Sequence, residues 1–398
     1  MTQTEQTLLT LLRRGLFGSG DSLIPEDTDY QRLLLECAHH TVAPLVYDAM
    51  TPAERAQMPS EASKRWHMTV MHTIFRNEQI AAEQRRVLSL LAQAEIPCVI
   101  MKGSSSAMNY PKPELRVSGD VDLLFSPEQI DDAQRLLMDD GYKLGANEDG
   151  EGSHRALHRG MYILELHYAP SILPDTPTCQ ELRRYFLGAE RSPAYCGQLP
   201  ILPRHSRAIL LLAHKLEHVT TSGLGLRHLC DWAMFVDREL DAALWEEITP
   251  TLKRFGLMRF ARIVTRTCVD FLGLPAEKAP WCMEIDTNLS ISLMEDILQS
   301  GNFGHKENRY GQRLFTDFDS KNRISSLFHT GIRVCREQWE PCRKYPILLP
   351  IAPFVLVFRY KMRRKRGERP ALKPLSVYQS AGKRQKLYKA LNPFVPEK

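Results

Sequence analysis

The chain has 398 residues, of which 43% are apolar and 25% charged, and a formal net charge of +5. Residues 359–398 carry 13 Lys and Arg against two acidic residues, a net of +11, whereas the first 358 residues carry 39 basic against 45 acidic residues, a net of −6. Because phosphate neutralisation needs clustered Lys and Arg, this balance argues against a large nucleic-acid-binding face on the main body.

The N-terminus and the lack of a long apolar run predict a cytoplasmic protein. Residues 1–20 lack the basic, apolar and small-residue regions of a secretory signal, and nowhere do 18 uninterrupted apolar residues occur. The nine cysteines are odd in number, scattered and without a C-x-x-C pair. We therefore expect reduced cysteines in the core, with neither a disulfide framework nor a zinc knuckle.

The first part of the chain, residues 1–94, has the pattern of a helical region. Apolar residues recur at helical spacing in residues 7–12, 30–49 and 63–94. "IPCVIMKG" follows, in which Pro97 ends the helical pattern and a β-branched apolar run begins.

The next segment, residues 95–200, alternates strands and helices. After the first strand, Asp120–Phe125 is predicted as a second strand, followed by a helix with Ser126 as its N-cap and Gly141 as its stop. "MYILELHY" is predicted as a third strand, with Glu165 and His167 on one face. His154 and His158, which precede it, are expected in a loop.

The remainder divides into a helical domain, residues 201–340, and an apolar segment with a basic tail, residues 341–398. Residues 345–360 contain three prolines and are too short and too broken to span a bilayer. We favour a packed last helix with a solvated basic end, and contact of the 345–369 segment with an anionic membrane surface stays as an alternative. The Lys-rich terminus is expected to be mobile.

Two carboxylates, Asp120 and Asp122, lie one residue apart in the apolar strand "DVDLLF". Side chains alternate along a strand, so both point to the same face while Val121 and Leu123 point into the core. Two such carboxylates repel each other unless a cation or a shared proton relieves them, and Mg²⁺ is a common solution. The simpler alternative is a strand end at which both acids face water.

A glycine-serine turn, "KGSSS", ends the preceding strand. Gly103 allows close approach of the backbone to a phosphate, and Ser104 opens a helix-compatible segment whose N–H groups favour anions. Lys102 and Arg116 add positive charge for nucleotide binding, Arg116 as a bidentate fork. The turn is not a P-loop, because the G-x-x-x-x-G-K-[ST] spacing is missing.

Two histidines, His214 and His218, share a helix face in "HKLEH". Lys215 occupies the position that a zinc protease motif gives to glutamate, so structural or pocket-lining histidines are favoured over a zinc site. Arg227 and Asp231, four residues apart, are interpreted as a helix-face ion pair.

Strand, glycine-serine turn, helix, D-x-D strand and a later strand with a third acid together resemble the DNA polymerase beta-like nucleotidyltransferase superfamily. The closer resemblance is to its bacterial branch of uncharacterised nucleotidyltransferases. The motifs that carry it are "KG", "YP…R", "DVDLL", "GY" and "ELHY", and a helix with two histidines followed by "LRHLCDW". The fifteen residues between Ser104 and Asp120 are an insertion whose role the sequence leaves open.

The resemblance implies an α+β fold, with a small mixed-sheet nucleotidyltransferase core, flanking helical regions and mainly a C-terminal helical domain. It also implies transfer of an NMP from an NTP, with ATP expected, to a hydroxyl acceptor and release of pyrophosphate. Asp120, Asp122 and Glu165 would be the catalytic and metal-binding residues for Mg²⁺ or Mn²⁺. Gly103 and Ser104 would cradle the β- and γ-phosphates.

The acceptor is left open between a small molecule and a protein. The competing hypothesis is a catalytically inactive nucleotide-binding or partner-binding protein with the same fold.

Overall fold

A computed structural model describes most of the chain, with the following residues: 1–19, 23–145, 154–168, 176–186, 194–196, 199–220, 223–302, 332, 335, 339, 341–342, 345–365 and 384–397.

Helices dominate both ends of the described chain, as the sequence predicts. They are α1 (Gln3–Phe17), α2 (Tyr30–His39), α3 (Ala43–Ala49), α4 (Pro52–Ala56), α5 (Ser60–Gln93), α6 (Ser104–Ala107), α7 (Ile130–Asp139), α8 (Pro177–Tyr185), α9 (Arg204–Thr220), α10 (Leu226–Arg238), α11 (Ala242–Arg254), α12 (Met258–Thr267), α13 (Thr287–Ser300) and α14 (Ala352–Lys365). Residues 384–391 form a further helix.

Seven short strands form one mixed sheet between the helical regions. They are β1 (Val99–Ile100), β2 (Val121–Leu124), β3 (Lys143–Leu144), β4 (His154–Arg159), β5 (Tyr162–His167), β6 (Ala194–Cys196) and β7 (Leu199–Ile201). Their order is β3-β4-β5-β2-β1-β7-β6. The central pair β2 and β5 is parallel, and β4 pairs with β5 antiparallel. The predicted α+β class with a mixed-sheet core is confirmed.

The two faces of the sheet differ in what covers them. One face packs Val121, Leu123, Leu164 and Leu166 against α5 and α7 in a compact apolar cluster. The other face carries Asp122, Glu165 and His167, and Lys102, which follows β1, contacts His214 of α9. Strand alternation thus places the apolar residues in the core on one face and these polar residues on the other face. We call the helices after the sheet, α9 to α13, the second helical region.

The helices before and after the sheet share one large core. Apolar residues of α1, α2 and α3 pack in the same cluster as those of α9 to α13, together with Tyr110 and Leu115 from the loop after α6. Val99 of β1 and Leu124 of β2 belong to the same cluster, so this common core joins the sheet to the helices on both sides of it.

Two local predictions are wrong. α7 begins at Ile130 with Gln129 as its N-cap, rather than with Ser126 as predicted, because residues 126–129 form a turn closed by the bond from Gln129 N to Ser126 O. His154 and His158 are in β4 rather than in a loop. The hairpin partner was missed because "HRALHR" has only two apolar residues, Ala156 and Leu157, which are adjacent and so show no alternation.

The C-terminal segment packs against the body, contrary to the expected mobile terminus. Tyr388, Leu391 and Phe394 are buried, and Arg384 bonds to Asp296 of α13 at 2.9 Å. Lys386 and Lys389 of this segment face solvent, whereas Arg384 and the apolar residues are buried, a pattern that net charge alone conceals.

The apolar segment near residue 350 is a short helical element with an exposed face. Ile347, Phe354 and Phe358 are 84%, 77% and 64% exposed. The expectation of a packed last helix is therefore not met over these residues. None of the helices in the described part of the chain has the length and hydrophobicity needed to cross a bilayer.

The cysteines behave as expected where they are described. Eight of the nine are free and buried, and Cys196 lies outside the residues whose side chains are described.

Candidate active site

Three carboxylates meet on the polar face of the sheet, as the sequence predicts. Asp122 of β2 is directly paired with Glu165 of β5 in the parallel register, and directly paired residues point to the same face. Asp120 lies two residues before Asp122, on that same side. One carboxylate oxygen from each of Asp120, Asp122 and Glu165 lies within 4.8 Å of the others. We call this set the acid cluster.

His167 joins two members of the acid cluster. Its Nε2 lies 3.0 Å from Asp122 Oδ1 and 3.1 Å from Glu165 Oε2. Burial opposes protonation of the imidazole, but the hydrogen bonds with Asp122 and Glu165 outweigh it and raise the pKa of His167. The ring is therefore held where its Nε2 faces both carboxylates.

Lys102 brings a positive charge into the acid cluster. Its Nζ lies 3.0 Å from Asp122 Oδ1, and Asp122 is only 3% exposed. Burial favours the neutral form of both groups, but Lys102 and His167 hold the pKa of Asp122 well below its usual value, and the three carboxylates raise the pKa of Lys102. The lysine was predicted to bind nucleotide, and the structure places its ammonium between the acid cluster and His214.

Asp120 is in the opposite electrostatic situation. Burial and the neighbouring charge of Asp122 raise its pKa, and the attraction of Lys102 offsets this only in part. Asp122 is thus stabilised as an anion, whereas the anionic form of Asp120 is destabilised. A bound cation would stabilise the Asp120 anion.

The glycine-serine turn lies beside the acid cluster. Gly103 has φ +72°, a backbone conformation that favours glycine, and the nearest atom to a Cβ there would be Asp120 O at 3.8 Å. Ser104 begins α6, which has four residues, and its hydroxyl donates to Gln84 Oε1 at 2.7 Å. The turn thus runs alongside the strand end that carries Asp120.

Arg116 has a different partner from the predicted phosphate. Its Nε and Nη2 donate to the two carboxylate oxygens of Asp231 on α10 at 2.7 and 2.8 Å, and Tyr110 Oη donates to the same carboxylate at 2.7 Å. Both charged side chains are at most 5% exposed. This set explains the insertion: Tyr110 and Arg116 attach the loop between α6 and β2 to the second helical region.

The predicted ion pair between Arg227 and Asp231 is consequently wrong. Asp231 faces the Arg116 fork, and Arg227 instead donates from Nη1 to Val117 O at 2.9 Å. Spacing of four residues on a helix permits such a pair, but a bidentate partner from another segment offers better geometry.

A second cluster of side chains consists of His214 and His218 of α9 with His228 of α10. His214 Nε2 lies 3.2 Å from His218 Nε2 and 3.4 Å from Lys102 Nζ. Burial, and then the charge of Lys102, lowers the pKa of His214 well below its usual value. The sequence did not indicate the third histidine, because His228 reaches the pair only through the packing of two helices.

Comparison with known protein families identifies the family to which the chain is similar. A family model described as an uncharacterised nucleotidyltransferase matches residues 26–273. This range includes the sheet, the acid cluster, α9 and α10. No curated protein and no solved structure matches the chain.

Proposed function

Since the chain belongs to this nucleotidyltransferase family, we propose that it transfers an NMP from an NTP, with ATP expected, to a hydroxyl acceptor and depends on Mg²⁺ or Mn²⁺. The observation that carries the proposal is the meeting of Asp120, Asp122 and Glu165 within 4.8 Å, next to Lys102 and the Gly103 turn.

The acid cluster has the chemistry of a site for a divalent cation. Hard cations prefer carboxylate oxygens, and burial together with the charge of Asp122 raises the pKa of Asp120, an unfavourable interaction that a bound cation would offset. Asp120, Asp122 and Glu165 would hold the cation. When bound, the cation would stabilise negative charge on the triphosphate and lower the pKa of the acceptor hydroxyl.

The protein groups around the cluster have separate tasks in this proposal. Lys102 would neutralise phosphate charge close to Asp122, and Gly103 and Ser104 would let the β- and γ-phosphates approach the backbone. Glu165, with a side chain 23% exposed, would accept the acceptor proton. A bond then forms between the acceptor oxygen and the α-phosphorus, the bond from the α-phosphorus to the β-phosphate oxygen breaks, and pyrophosphate leaves.

The acceptor class stays a proposal between two candidates. The acidic balance of the first 358 residues fits a small-molecule alcohol, and a protein hydroxyl is equally compatible. Arg116 is left out of the phosphate contacts because its guanidinium is bonded to Asp231.

One contact favours the second candidate function, an inactive nucleotide-binding or partner-binding protein. The ammonium of Lys102 already lies 3.0 Å from Asp122 Oδ1, where it supplies part of the charge that a metal would bring. If this replacement were complete, a divalent cation would have no effect on nucleotide binding.

A transfer assay separates the two candidates. The full chain is incubated with each of the four α-³²P-labelled NTPs, Mg²⁺ or Mn²⁺, and fractions of a cell extract that contain small molecules or proteins. We expect labelled product with one NTP and one fraction, and loss of at least about a thousandfold in rate for Asp122→Asn. Metal-independent nucleotide binding without product, unchanged in Asp122→Asn, would support the inactive binder.

A further inference from the structure

The acid cluster has two imidazole neighbours that a purely carboxylate site lacks. His167 Nε2 lies 3.0 Å from Asp122 Oδ1 and 3.1 Å from Glu165 Oε2, and His154 Nε2 lies 4.0 Å from Glu165 Oε1. The rings of His154 and His167 are 5.0 Å apart. His154, Glu165 and His167 form a three-ligand set of their own, which shares Glu165 with the acid cluster.

The strand register explains this convergence. His154 of β4 is directly paired with His167 of β5, and Asp122 of β2 is directly paired with Glu165 of β5. The four residues therefore occupy one face of three adjacent strands. Their positions depend on backbone pairing rather than on loop conformation, which makes a rigid ligand set.

The distances suit a six-coordinate ion. With bonds of about 2.1 Å, adjacent ligands of an octahedron are roughly 3.0 Å apart and opposite ligands roughly 4.2 Å apart. The two contacts of His167 Nε2, at 3.0 and 3.1 Å, match the adjacent separation. The separation of 4.0 Å between His154 Nε2 and Glu165 Oε1 lies between the two values and is closer to the opposite one.

Imidazole nitrogen changes which metal such a site favours. Carboxylates and water suit Mg²⁺, whereas imidazole is a good ligand for first-row transition ions and a poor one for Mg²⁺. We propose that the acid cluster binds a divalent first-row transition ion in preference to Mg²⁺, with His167 and His154 as nitrogen ligands. The proposal rests on the proposed function in so far as Asp120, Asp122 and Glu165 are taken to hold a cation.

The second histidine cluster is the obvious rival location for such an ion. Two cations lie beside it, with Lys102 Nζ 3.4 Å from His214 Nε2 and Arg227 Nη2 3.4 Å from His228 Nε2, and one carboxylate, with Glu217 Oε2 3.6 Å from His214 Nδ1. Around His167, two carboxylate oxygens are the nearest polar partners instead. Lys102 Nζ is also close to the acid cluster, 3.0 Å from Asp122 Oδ1, but three carboxylates there attract a cation, which favours the acid cluster.

The test uses Mn²⁺ as the probe and the full chain without nucleotide. Electron paramagnetic resonance measures the free Mn²⁺, and pulsed spectra detect coupling of bound Mn²⁺ to ¹⁴N of an imidazole ligand. We expect ¹⁴N coupling, and an affinity at least about tenfold higher for Mn²⁺ than for competing Mg²⁺. His167→Asn should remove most of the coupling and weaken Mn²⁺ binding about tenfold or more, with a smaller effect on Mg²⁺.

His154→Asn should reduce the coupling to that of a single nitrogen, and the matched control His218→Asn should change neither coupling nor affinity. The wild-type spectrum alone can overturn the proposal, because bound Mn²⁺ without ¹⁴N coupling contradicts it whatever the variants do. Loss of coupling in His218→Asn would also contradict it, by placing the ion in the rival cluster.

The experiments distinguish failure of the proposed metal preference from failure of the proposed function. The metal preference alone would be contradicted if labelled NMP is transferred but Mg²⁺ and Mn²⁺ bind equally and no ¹⁴N coupling is seen. If ¹⁴N coupling depends on His167 but no NMP is transferred, the proposed function is contradicted and the metal site is supported.

Discussion

Asp120 is the carboxylate of the acid cluster whose charge is least compensated by its neighbours. Burial and Asp122 raise its pKa, so the stability that it contributes is present at acid pH and is lost as the pH rises through that raised value. At neutral pH the ionised group therefore costs stability, and a bound cation should recover it.

Asp120→Asn tests this cost. In the metal-free protein we expect a Tm about 2 °C higher than wild type, because the repelled charge is gone. Addition of Mn²⁺ or Mg²⁺ should raise the Tm of wild type at pH 7.5 but not that of the variant. The rise in wild type should shrink as the pH falls through the raised pKa of Asp120. Differential scanning calorimetry measures both effects, and Asp139→Asn, an exposed position on α7, is the control.

Gly103 is the second residue whose properties follow from its backbone. At φ +72° a side chain is strained, although a Cβ would meet no atom closer than 3.8 Å. Gly103→Ala should therefore cost roughly 1–3 kcal/mol in the free energy of unfolding without preventing folding.

The same change should weaken NTP binding by moving the turn, as measured by calorimetric titration in the presence of Mn²⁺. Gly119→Ala is the matched control, because Gly119 has neither a positive φ nor an atom within 4 Å of a Cβ. Equal losses in the two variants would contradict a special role for the turn.

At the scale of elements, the ion pair of Arg116 with Asp231 connects the loop before β2 to α10. Asp231→Ala leaves a buried guanidinium and the Tyr110 hydroxyl without their partner, and we expect a loss of about 3–5 kcal/mol in the free energy of unfolding. Replacing both partners by apolar residues, Arg116→Met with Asp231→Leu, should cost clearly less.

Urea denaturation measures these differences. Glu61→Ala, which removes the exposed pair with Arg65, should change the free energy by less than about 1 kcal/mol. A loss of that small size for Asp231→Ala would show that the loop is not held by this pair.

The elements also show where sequence reasoning succeeds and where it stops. Alternation in "DVDLL" and "YILELH" is sufficient to place Asp122 and Glu165 on one face, because it depends only on strand geometry. The partner of Arg116 is not predictable in this way, since Asp231 reaches it across 115 residues of chain. His228 and His154 were missed for the same reason: their neighbours are set by helix packing and strand pairing.

At the scale of the whole molecule, the C-terminal residues close over the second helical region. Gly256 has φ +62°, and a Cβ there would lie 2.2 Å from Val395 N. Gly256→Ala should detach residues 384–397 and expose Tyr388 and Leu391. We expect faster cleavage of this segment by limited proteolysis, whereas equal cleavage rates would contradict the packing.

α14 has an exposed apolar face. Phe354 and Phe358 are largely exposed and precede a run of basic residues, a combination that suits an anionic membrane surface. We predict that the full chain floats with vesicles containing phosphatidylserine but not with neutral ones. Phe354→Glu with Phe358→Glu should abolish flotation, and flotation that persists would exclude this face.

The central claim is that the acceptor attacks the α-phosphorus of the NTP at the acid cluster. The most direct measurement compares ATP labelled at the α-phosphate with ATP labelled at the γ-phosphate, in the presence of Mn²⁺ and an acceptor fraction. We expect the α-label to enter the product and the γ-label to leave as pyrophosphate, and we expect both events to disappear in Asp122→Asn. Entry of the γ-label into product, or turnover that survives Asp122→Asn, would contradict it.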